Sequence, residues 1–285
     1  MRTIGWMAAA MTVVALVVAG WWYRNALAVP VERRTTIMLP DWPAGAPPVT
    51  IAAISDIHVG NATMDSDRLS HIVAQINAAR PDLVLIAGDY VAGHDGAVAR
   101  RGARDLVTPL SRLRAPLGIV AVLGNHDQSE PRAIRAGLER AGITVLDNAA
   151  VRRGPLVIGG VGDAFSHHDD LPATLRAMAR LQGADVILTH SPDLSLDVPA
   201  GVGVLFAGHT HCGQGVLPIV GPPRVFWQPG LMCGLVRRGG LTSVITGGLG
   251  TSGVPLRVNA PPDLWLVTLT GRQGLAGQFR PAPRP

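Results

Sequence analysis

The sequence predicts an α/β fold in which a layered sheet sandwich is flanked by helices. Between residues 49 and 207, short apolar runs rich in β-branched residues alternate with segments of helical periodicity. After residue 207 the apolar runs follow one another without a clear helix, which is typical of a sandwich closed by late strands. The chain has 285 residues, of which 47% are hydrophobic and 16% charged, so one large domain or two small ones can bury a sizeable core.

Twelve segments carry these element signals. Strands are predicted at 49–55, 83–87, 119–123, 157–161, 186–189, 204–207, 243–246 and 264–269, and helices at 66–79, 97–113, 131–141 and 171–181. Two helix starts have specific signals, because Pro131 suits a first helical turn and Asp170 suits an N-cap. The neighbouring pair His167 and His168 does not follow a strand, so we interpret it as part of that helix start rather than as a metal site.

The N-terminus predicts a membrane anchor. Residues 4–23 carry no charged side chain and are about long enough to span a bilayer as a helix, and Trp21, Trp22 and Tyr23 would form an interfacial belt. We therefore predict an anchor at 1–28, with a cleaved signal peptide ending near 26–28 as the alternative. Arg24, Arg33 and Arg34 follow the span, which favours a cytoplasmic-facing domain over a periplasmic one.

The remaining segments divide the chain further. Residues 29–48 hold several prolines without periodicity and are predicted to be a tether, residues 49–272 the main domain, and residues 273–285 a flexible tail. The net charge of +5 is spread thinly, with no basic run longer than a pair, so no nucleic-acid partner is expected. Cys212 and Cys233 could pair in an oxidising compartment, but we interpret them as two ordinary thiols.

Five predicted strands end in residue types that bind metals. Because ligand sites in open α/β sheets form at the carboxyl ends of strands, these side chains are expected in one crevice. Oxygen and nitrogen ligands without thiolates suit divalent Mn, Fe, Zn, Co or Ni rather than a structural zinc site. Seven ligands are too many for one ion with an open position but suffice for two ions that share one carboxylate. The candidates are Asp56, His58, Asp89, Asn125, His190, His209 and His211.

The order of these motifs resembles a known signature. Asp56-Ile57-His58, Gly88-Asp89, Gly124-Asn125-His126-Asp127, His190 and Gly208-His209-Thr210-His211 are similar to the calcineurin-like metallophosphoesterase signature. Segments 208–214 and 247–269 also resemble the membrane-associated bacterial phosphodiesterases of that superfamily, a branch that includes the UDP-diacylglucosamine hydrolase type. The resemblance covers roughly residues 49–270.

The resemblance implies a fold, an activity and a place in the cell. It implies a four-layer αββα metallophosphoesterase sandwich that hydrolyses phosphodiester or pyrophosphate bonds with two divalent metal ions. The implied substrate is a phosphoester at the bacterial inner membrane, and the branch resemblance implies a lipid-linked one such as UDP-diacylglucosamine. A general phosphodiesterase or phosphatase acting on nucleotides or envelope polymers is one alternative, and a metal-binding scaffold without turnover is another.

The resemblance also implies roles for the site residues. Asp56, His58 and His211 would hold the first metal, Asn125, His190 and His209 the second, and Asp89 would bridge. His126 would not bind metal but would stabilise phosphoryl charge or protonate the leaving oxygen. Cys212 departs from the small residue that is usual in this branch.

Several residues near these motifs keep open roles. Asp163 is a candidate for supporting a ligand, and Asp127 would either orient His126 or cap a turn. Arg257 would contact substrate phosphate or form a structural salt bridge, while His71 and His94 are interpreted as surface residues. The apolar segment 216–236 is either a buried hairpin or an exposed flap that meets acyl chains.

Overall fold

Two mixed six-stranded sheets form the frame of the molecule. The computed structural model describes residues 2–217, 221, 228 and 230–271, without the side chains of residues 2–5 and 8. The first sheet has the order β1 (Val31–Met38), β12 (Asp263–Thr270), β2 (Val49–Ile54), β3 (Leu83–Ala87), β4 (Ile119–Val122) and β5 (Thr144–Val145). The second has the order β10 (Gly234–Arg238), β11 (Leu241–Ile245), β9 (Val204–Ala207), β8 (Ala184–Leu188), β7 (Leu156–Gly160) and β6 (Ala149–Arg153).

The strand directions bring the predicted motifs to one end of the sandwich. In the first sheet β2, β3, β4 and β5 are parallel, and in the second β7, β8, β9 and β11 are parallel. The carboxyl ends of parallel strands lie at the same edge of a sheet, which is where α/β proteins place ligand sites.

Helices cover the outer faces of the two sheets. The helices are α1 (Arg2–Ala26), α2 (Ser66–Ala78), α3 (Gly96–Asp105), α4 (Val107–Leu110), α5 (Pro131–Arg140) and α6 (Leu171–Met178). Buried side chains of α2 to α5 pack on the first sheet, α6 packs on the second, and the inner faces of the sheets pack against each other. This arrangement confirms the predicted α/β sandwich.

The predicted helix at 97–113 is divided in the structure. α3 ends at Asp105 and the short α4 follows, with Pro109 inside it. Proline has no N–H group, so the carbonyl of Asp105 has no helical donor four residues on. That carbonyl instead accepts the hydroxyl of Ser66 at 3.1 Å. The predicted cap of α6 is confirmed, because Asp170 accepts the N–H of Ala173 at 2.8 Å.

The prediction of a tether at 29–48 is wrong for its central part. Residues Val31–Met38 form β1, which pairs in parallel with β12 at the edge of the first sheet. The strand is largely exposed, and an ion pair joins its Arg33 to buried Asp263 at 2.6 Å. An exposed edge strand needs no alternation of apolar and polar residues, because hydrogen bonds to the neighbouring strand hold it in the sheet. The sequence of β1 therefore shows no strand pattern.

The predicted anchor coincides with α1. Within the described part of the chain, no helix is both long enough and apolar enough to cross a membrane. The end of α1 contacts the main domain, where the N–H of Arg257 donates to the carbonyl of Trp22 at 3.1 Å. The predicted tail at 273–285 and much of the predicted apolar segment 216–236 lie outside the described residues.

Candidate metal centre

The loops after five strands carry the predicted site residues to one place between the sheets. Asp56 and His58 follow β2, Asp89 follows β3, and Asn125 and His126 follow β4. The second sheet contributes His190 after β8, and His209 and His211 after β9. Asp56, His58 and His190 have no solvent exposure at all, so the group lies in the interior end of the sandwich.

Three of these side chains form a first cluster. The Nε2 atoms of His58 and His211 are 3.1 Å apart, and the Nε2 of His211 is 3.3 Å from the Oδ1 of Asp56. The Oδ1 of Asp56 and the Nε2 of His58 are 3.9 Å apart. These three atoms converge on one point, as ligands of a single ion would.

A second cluster of three lies beside the first. The Oδ1 of Asn125 is 3.0 Å from the Nε2 of His190 and 3.0 Å from the Nδ1 of His209. The two imidazole nitrogens are 3.2 Å apart. An amide oxygen with two imidazole nitrogens is a donor set that divalent transition metals accept.

Asp89 lies between the two clusters. Its Oδ2 is 3.6 Å from the Nε2 of His58 and 3.3 Å from the Nε2 of His190. The structure thus groups the seven side chains as the resemblance implies, while their role as metal ligands stays a prediction.

The backbone at the site adopts an uncommon conformation. Five of the seven candidates lie at a positive φ between 50° and 69°, namely Asp56, His58, Asp89, His209 and His211. Residues with a side chain avoid this left-handed region, and each costs about 1 kcal/mol or more. Such a concentration of unfavourable backbone is found where function requires the geometry.

Hydrogen bonds orient two of the imidazoles for metal binding. The Nδ1 of His58 lies 3.1 Å from the carbonyl of Val91, and the Nδ1 of His190 lies 2.7 Å from the carbonyl of Ala87. A carbonyl only accepts, so each Nδ1 carries the proton and donates it. In the neutral ring the Nε2 lone pair then faces the cluster, as histidine ligands require.

The electrostatics of the site also fit cations. Burial raises the pKa of Asp56 to about 6 and lowers the pKa of His58 and of His209 to about 4. Burial lowers the pKa of His190, but the Asp89 and Asp56 carboxylates outweigh it and hold that pKa well above its usual value. A divalent ion would therefore displace a proton from His190, while it would find His58 and His209 neutral.

His126 lies at the edge of the clusters with one nitrogen facing them. Its Nδ1 donates to the carbonyl of Gly93 at 3.0 Å, and its Nε2 is 3.9 Å from the Oδ2 of Asp89 and 3.4 Å from the Oγ of Ser252. His94 is exposed as predicted, but its ring stacks on His126 with centroids 4.3 Å apart. No pattern in the sequence predicts this ring contact, which depends on the path of the loop after β3.

Asp127 has a different role from the two that the sequence left open. Its buried carboxylate accepts the backbone N–H groups of Asp89 at 2.9 Å, Tyr90 at 2.9 Å and Gly124 at 2.8 Å. It therefore clamps the loop after β3 to the loop after β4. The close approach of the loops also requires a glycine at 124, where a Cβ would lie 2.3 Å from the Oδ1 of Asp89.

Arg257 supports the site from behind, and it forms no salt bridge with any residue that the structure describes. It is fully buried, and its guanidinium donates to the carbonyls of Gly247 at 2.7 Å, Gly250 at 2.5 Å and Ala260 at 2.8 Å. Its Nη2 is 3.5 Å from the Nδ1 of His211. The glycine-rich turn is thereby held against the first cluster.

The interpretation of the cysteines as ordinary thiols is wrong. Cys212 and Cys233 form a disulfide with Cα atoms 4.8 Å apart, directly after the candidate ligand His211. Thr210 adds a hydrogen bond from its Oγ1 to the carbonyl of Met232 at 2.5 Å. The loop after β9 is therefore fastened to the segment before β10. The two cysteines are 21 residues apart in the sequence, and this spacing alone does not predict that they pair.

An α/β sandwich with such a cluster is typical of metal-dependent phosphoesterases, and comparison with known proteins agrees. The family described as calcineurin-like phosphoesterase matches residues 49–213. The chain therefore belongs to the calcineurin-like phosphoesterase family.

Relatives of the chain carry similar names. It is 30% identical to an uncharacterized metallophosphoesterase of Helicobacter pylori (strain J99) over 75% of this chain and 58% of that protein. It is 29% identical to an uncharacterized metallophosphoesterase of Aquifex aeolicus over 79% of this chain and 86% of the relative. It is 31% identical to phosphodiesterase YaeI of Escherichia coli (strain K12) over 79% of this chain and 83% of that protein.

Proposed function

We propose that the chain uses two divalent metal ions to hydrolyse a phosphodiester or pyrophosphate bond. The observation that carries this proposal is the pair of clusters with Asp89 between them, since a shared carboxylate and two open positions suit an in-line displacement. The name of the Escherichia coli relative, a phosphodiesterase, supports a diester.

The residues would divide between the ions by cluster. Asp56, His58 and His211 would hold one ion, Asn125, His190 and His209 the other, and Asp89 both. The ions would supply the positive charge that activates water and stabilises the attacking and leaving oxygens. Mn, Fe, Zn, Co or Ni all suit this donor set, and availability would decide among them.

His126 would act on the substrate rather than on the ions, although its ring nitrogen also lies within reach of the groups of His58 and Asp89. The carbonyl of Gly93 fixes its Nδ1–H, so its Nε2 faces the space beside Asp89 where a phosphoryl group would lie. When protonated there, it would stabilise phosphoryl charge or give its proton to the leaving oxygen.

The test is an assay of the full chain loaded with Mn²⁺ on a chromogenic phosphodiester. We expect metal-dependent turnover by the wild type, and its near loss in His126→Ala and Asp89→Ala. Absence of metal-dependent turnover on every phosphoester tried would exclude the enzyme and leave the scaffold alternative.

For the substrate we propose a lipid-linked phosphodiester or pyrophosphate such as UDP-diacylglucosamine. The apolar side chains that α1 exposes support it, among them Trp6, Met11 and Leu16, as does the resemblance of the C-terminal motifs. Incubation with UDP-diacylglucosamine should release UMP. Substitution of Phe226 and Trp227 by Ser should lower this activity and spare a soluble diester, and equal losses on both would contradict a lipid substrate.

A second candidate substrate follows from the disulfide. Disulfides persist in oxidising compartments and are rare in the cytosol, so the bond between Cys212 and Cys233 supports a periplasmic rather than a cytoplasmic side of the inner membrane. An envelope phosphodiester would then be the substrate. Thiol labelling of intact cells and of lysates distinguishes the sides, because a cytoplasmic domain would carry reduced cysteines.

A further inference from the structure

His209 differs from the other candidate ligands in what holds its second nitrogen. His58 and His190 each donate Nδ1–H to a backbone carbonyl. In His209 the Nδ1 faces the second cluster, so the proton of a neutral ligand must lie on Nε2. That Nε2 is buried and has no hydrogen-bond partner among the described residues. A buried unpaired N–H costs about 1–3 kcal/mol, so the position calls for an acceptor.

The carboxylate of Asp163 offers an acceptor for the Nε2–H of His209. It is fully buried after β7, and its Oδ2 is engaged by the N–H of Ser166 at 2.8 Å and the Oγ of Ser166 at 2.5 Å. Its Oδ1 is buried without any partner among the described residues. A carboxylate oxygen and an imidazole N–H are thus both buried, both unsatisfied and of opposite hydrogen-bonding character.

The fold places these two atoms in the same neighbourhood. β7, β8 and β9 are adjacent and parallel, so the loops that carry Asp163, His190 and His209 emerge side by side. Phe165, two residues after Asp163, contacts the ring of His209 with centroids 4.7 Å apart. The charge of Asp163 also raises the pKa of His209, against the larger lowering by burial. The loop 163–166 therefore lies against His209.

We propose that Asp163 is a positioning residue for His209, whose Nε2–H reaches the Oδ1 of Asp163 through one buried water. This bond would fix the tautomer with a free Nδ1 lone pair and hold the ring in the direction of the second cluster. Carboxylates behind histidine ligands tune metal sites in this way, and their loss costs about 10- to 100-fold in metal affinity. The inference rests on the proposed two-metal site.

The sharpest substitution is Asp163→Asn in the full chain. The amide oxygen can still accept from Ser166, but the amide NH₂ then faces the N–H of His209, which favours the wrong tautomer. We expect Mn²⁺ affinity, measured by titration calorimetry, to fall about 10- to 100-fold at one of the two sites while the other is kept. Asp163→Glu should restore part of the affinity. Asp169→Asn, an exposed acid of the same loop, is the control and should match the wild type.

A second readout does not need metal. In metal-free protein labelled with ¹⁵N-histidine, the His209 signal, assigned by its loss in His209→Gln, should show the Nε2–H tautomer and shift toward Nδ1–H in Asp163→Asn. A wild-type Nδ1–H tautomer, unchanged affinity in Asp163→Asn, or equal loss of both sites would each overturn the proposal. Failure of the wild type to bind Mn²⁺ would instead count against the proposed function, and the tautomer would still decide the role of Asp163.

Discussion

The two sheets contribute different chemistry to the candidate metal centre. The loops of the first sheet bring the candidate oxygen ligands, Asp56, Asp89 and Asn125, with His58 as the one candidate imidazole. The loops of the second sheet bring imidazoles alone. Each cluster combines residues from both sheets, so a complete site exists only where the two sheets pack together.

The two sides are also held in place by different means. On the first side the carboxylate of Asp127 accepts three backbone N–H groups and locks two loops together. On the second side the loop after β9 is fastened by the disulfide of Cys212 and by Thr210. The oxygen side therefore depends on hydrogen bonds, while the imidazole side depends partly on a covalent bond that a reductant can break.

The largest effect is expected from Asp89→Ala, because Asp89 belongs to both clusters. We predict loss of bound metal from both sites and a fall in kcat/KM of at least about 1000-fold, or about 4 kcal/mol of transition-state stabilisation. Elemental analysis and a chromogenic diester assay measure the two quantities. The exposed Asp197→Ala is the control, and retention of two ions in Asp89→Ala would contradict its place between the clusters.

His126→Ala should separate chemistry from coordination. His126 contacts the oxygen side only from its edge, so we expect both ions to stay bound while kcat falls about 100- to 10,000-fold, as for loss of a general acid. Metal content and steady-state kinetics on the same preparation test this. Loss of an ion would instead make His126 a ligand, and the exposed His71→Ala should change neither quantity.

Reduction of the disulfide should weaken the imidazole side selectively. A crosslink across about 20 residues contributes roughly 3 kcal/mol to the free energy of unfolding. We therefore expect TCEP to lower the Tm of the wild type and to weaken metal binding at the cluster that contains His211. The double variant Cys212→Ser with Cys233→Ser should start at the lower Tm and not respond to TCEP. Equal Tm values with and without TCEP in the wild type would contradict the prediction.

The smallest predicted effect is a dependence of metal affinity on pH. The pKa of Asp56 is raised to about 6, so this carboxyl is protonated below pH 6 in the metal-free protein and must lose its proton to bind a cation. His58 and His209, with a pKa of about 4, are already neutral there. Apparent Mn²⁺ affinity should thus fall as pH is lowered through 6, by up to about tenfold per unit for one proton. Burial lowers the pKa of His190, but the Asp89 and Asp56 carboxylates outweigh it and hold that pKa well above its usual value, so His190 also releases a proton on metal binding. Calorimetry at pH 5.5 and 7.5 in two buffers counts the protons, and a release no larger at pH 5.5 than at pH 7.5 would contradict the assignment to Asp56.

The strand ends were predictable from the sequence because apolar runs stop abruptly at metal-binding residue types. Asp89 and His190 each follow a buried strand within two residues. The supporting contacts were not predictable in the same way. Asp127 accepts the N–H groups of Asp89 and Tyr90, which lie 38 and 37 residues away, only after the sheet has formed. The Cys212 disulfide depends equally on tertiary packing.

β1 shows the same limit at the level of the fold. Its sequence carries Glu32, Arg33 and Arg34 and lacks an apolar alternation, so local pattern favours a tether. The strand exists because the edge of β12 offers unpaired backbone groups. The sequence of Val31–Met38 by itself does not show that this edge is available. By contrast Pro109 is a local signal for the break before α4, which the prediction of one helix at 97–113 did not take into account.

The position of β12 has a consequence for how the molecule folds. β12 lies between β1 and β2, although it is the last described strand in the chain. During synthesis the second sheet has all its strands by Ile245, while β1 still lacks its neighbour. Pairing of Trp265 with Ala53 closes a loop of most of the chain length, a slow step for which the entropic cost is large. We therefore expect the first sheet, which contains the N-terminal strands, to be completed after the second.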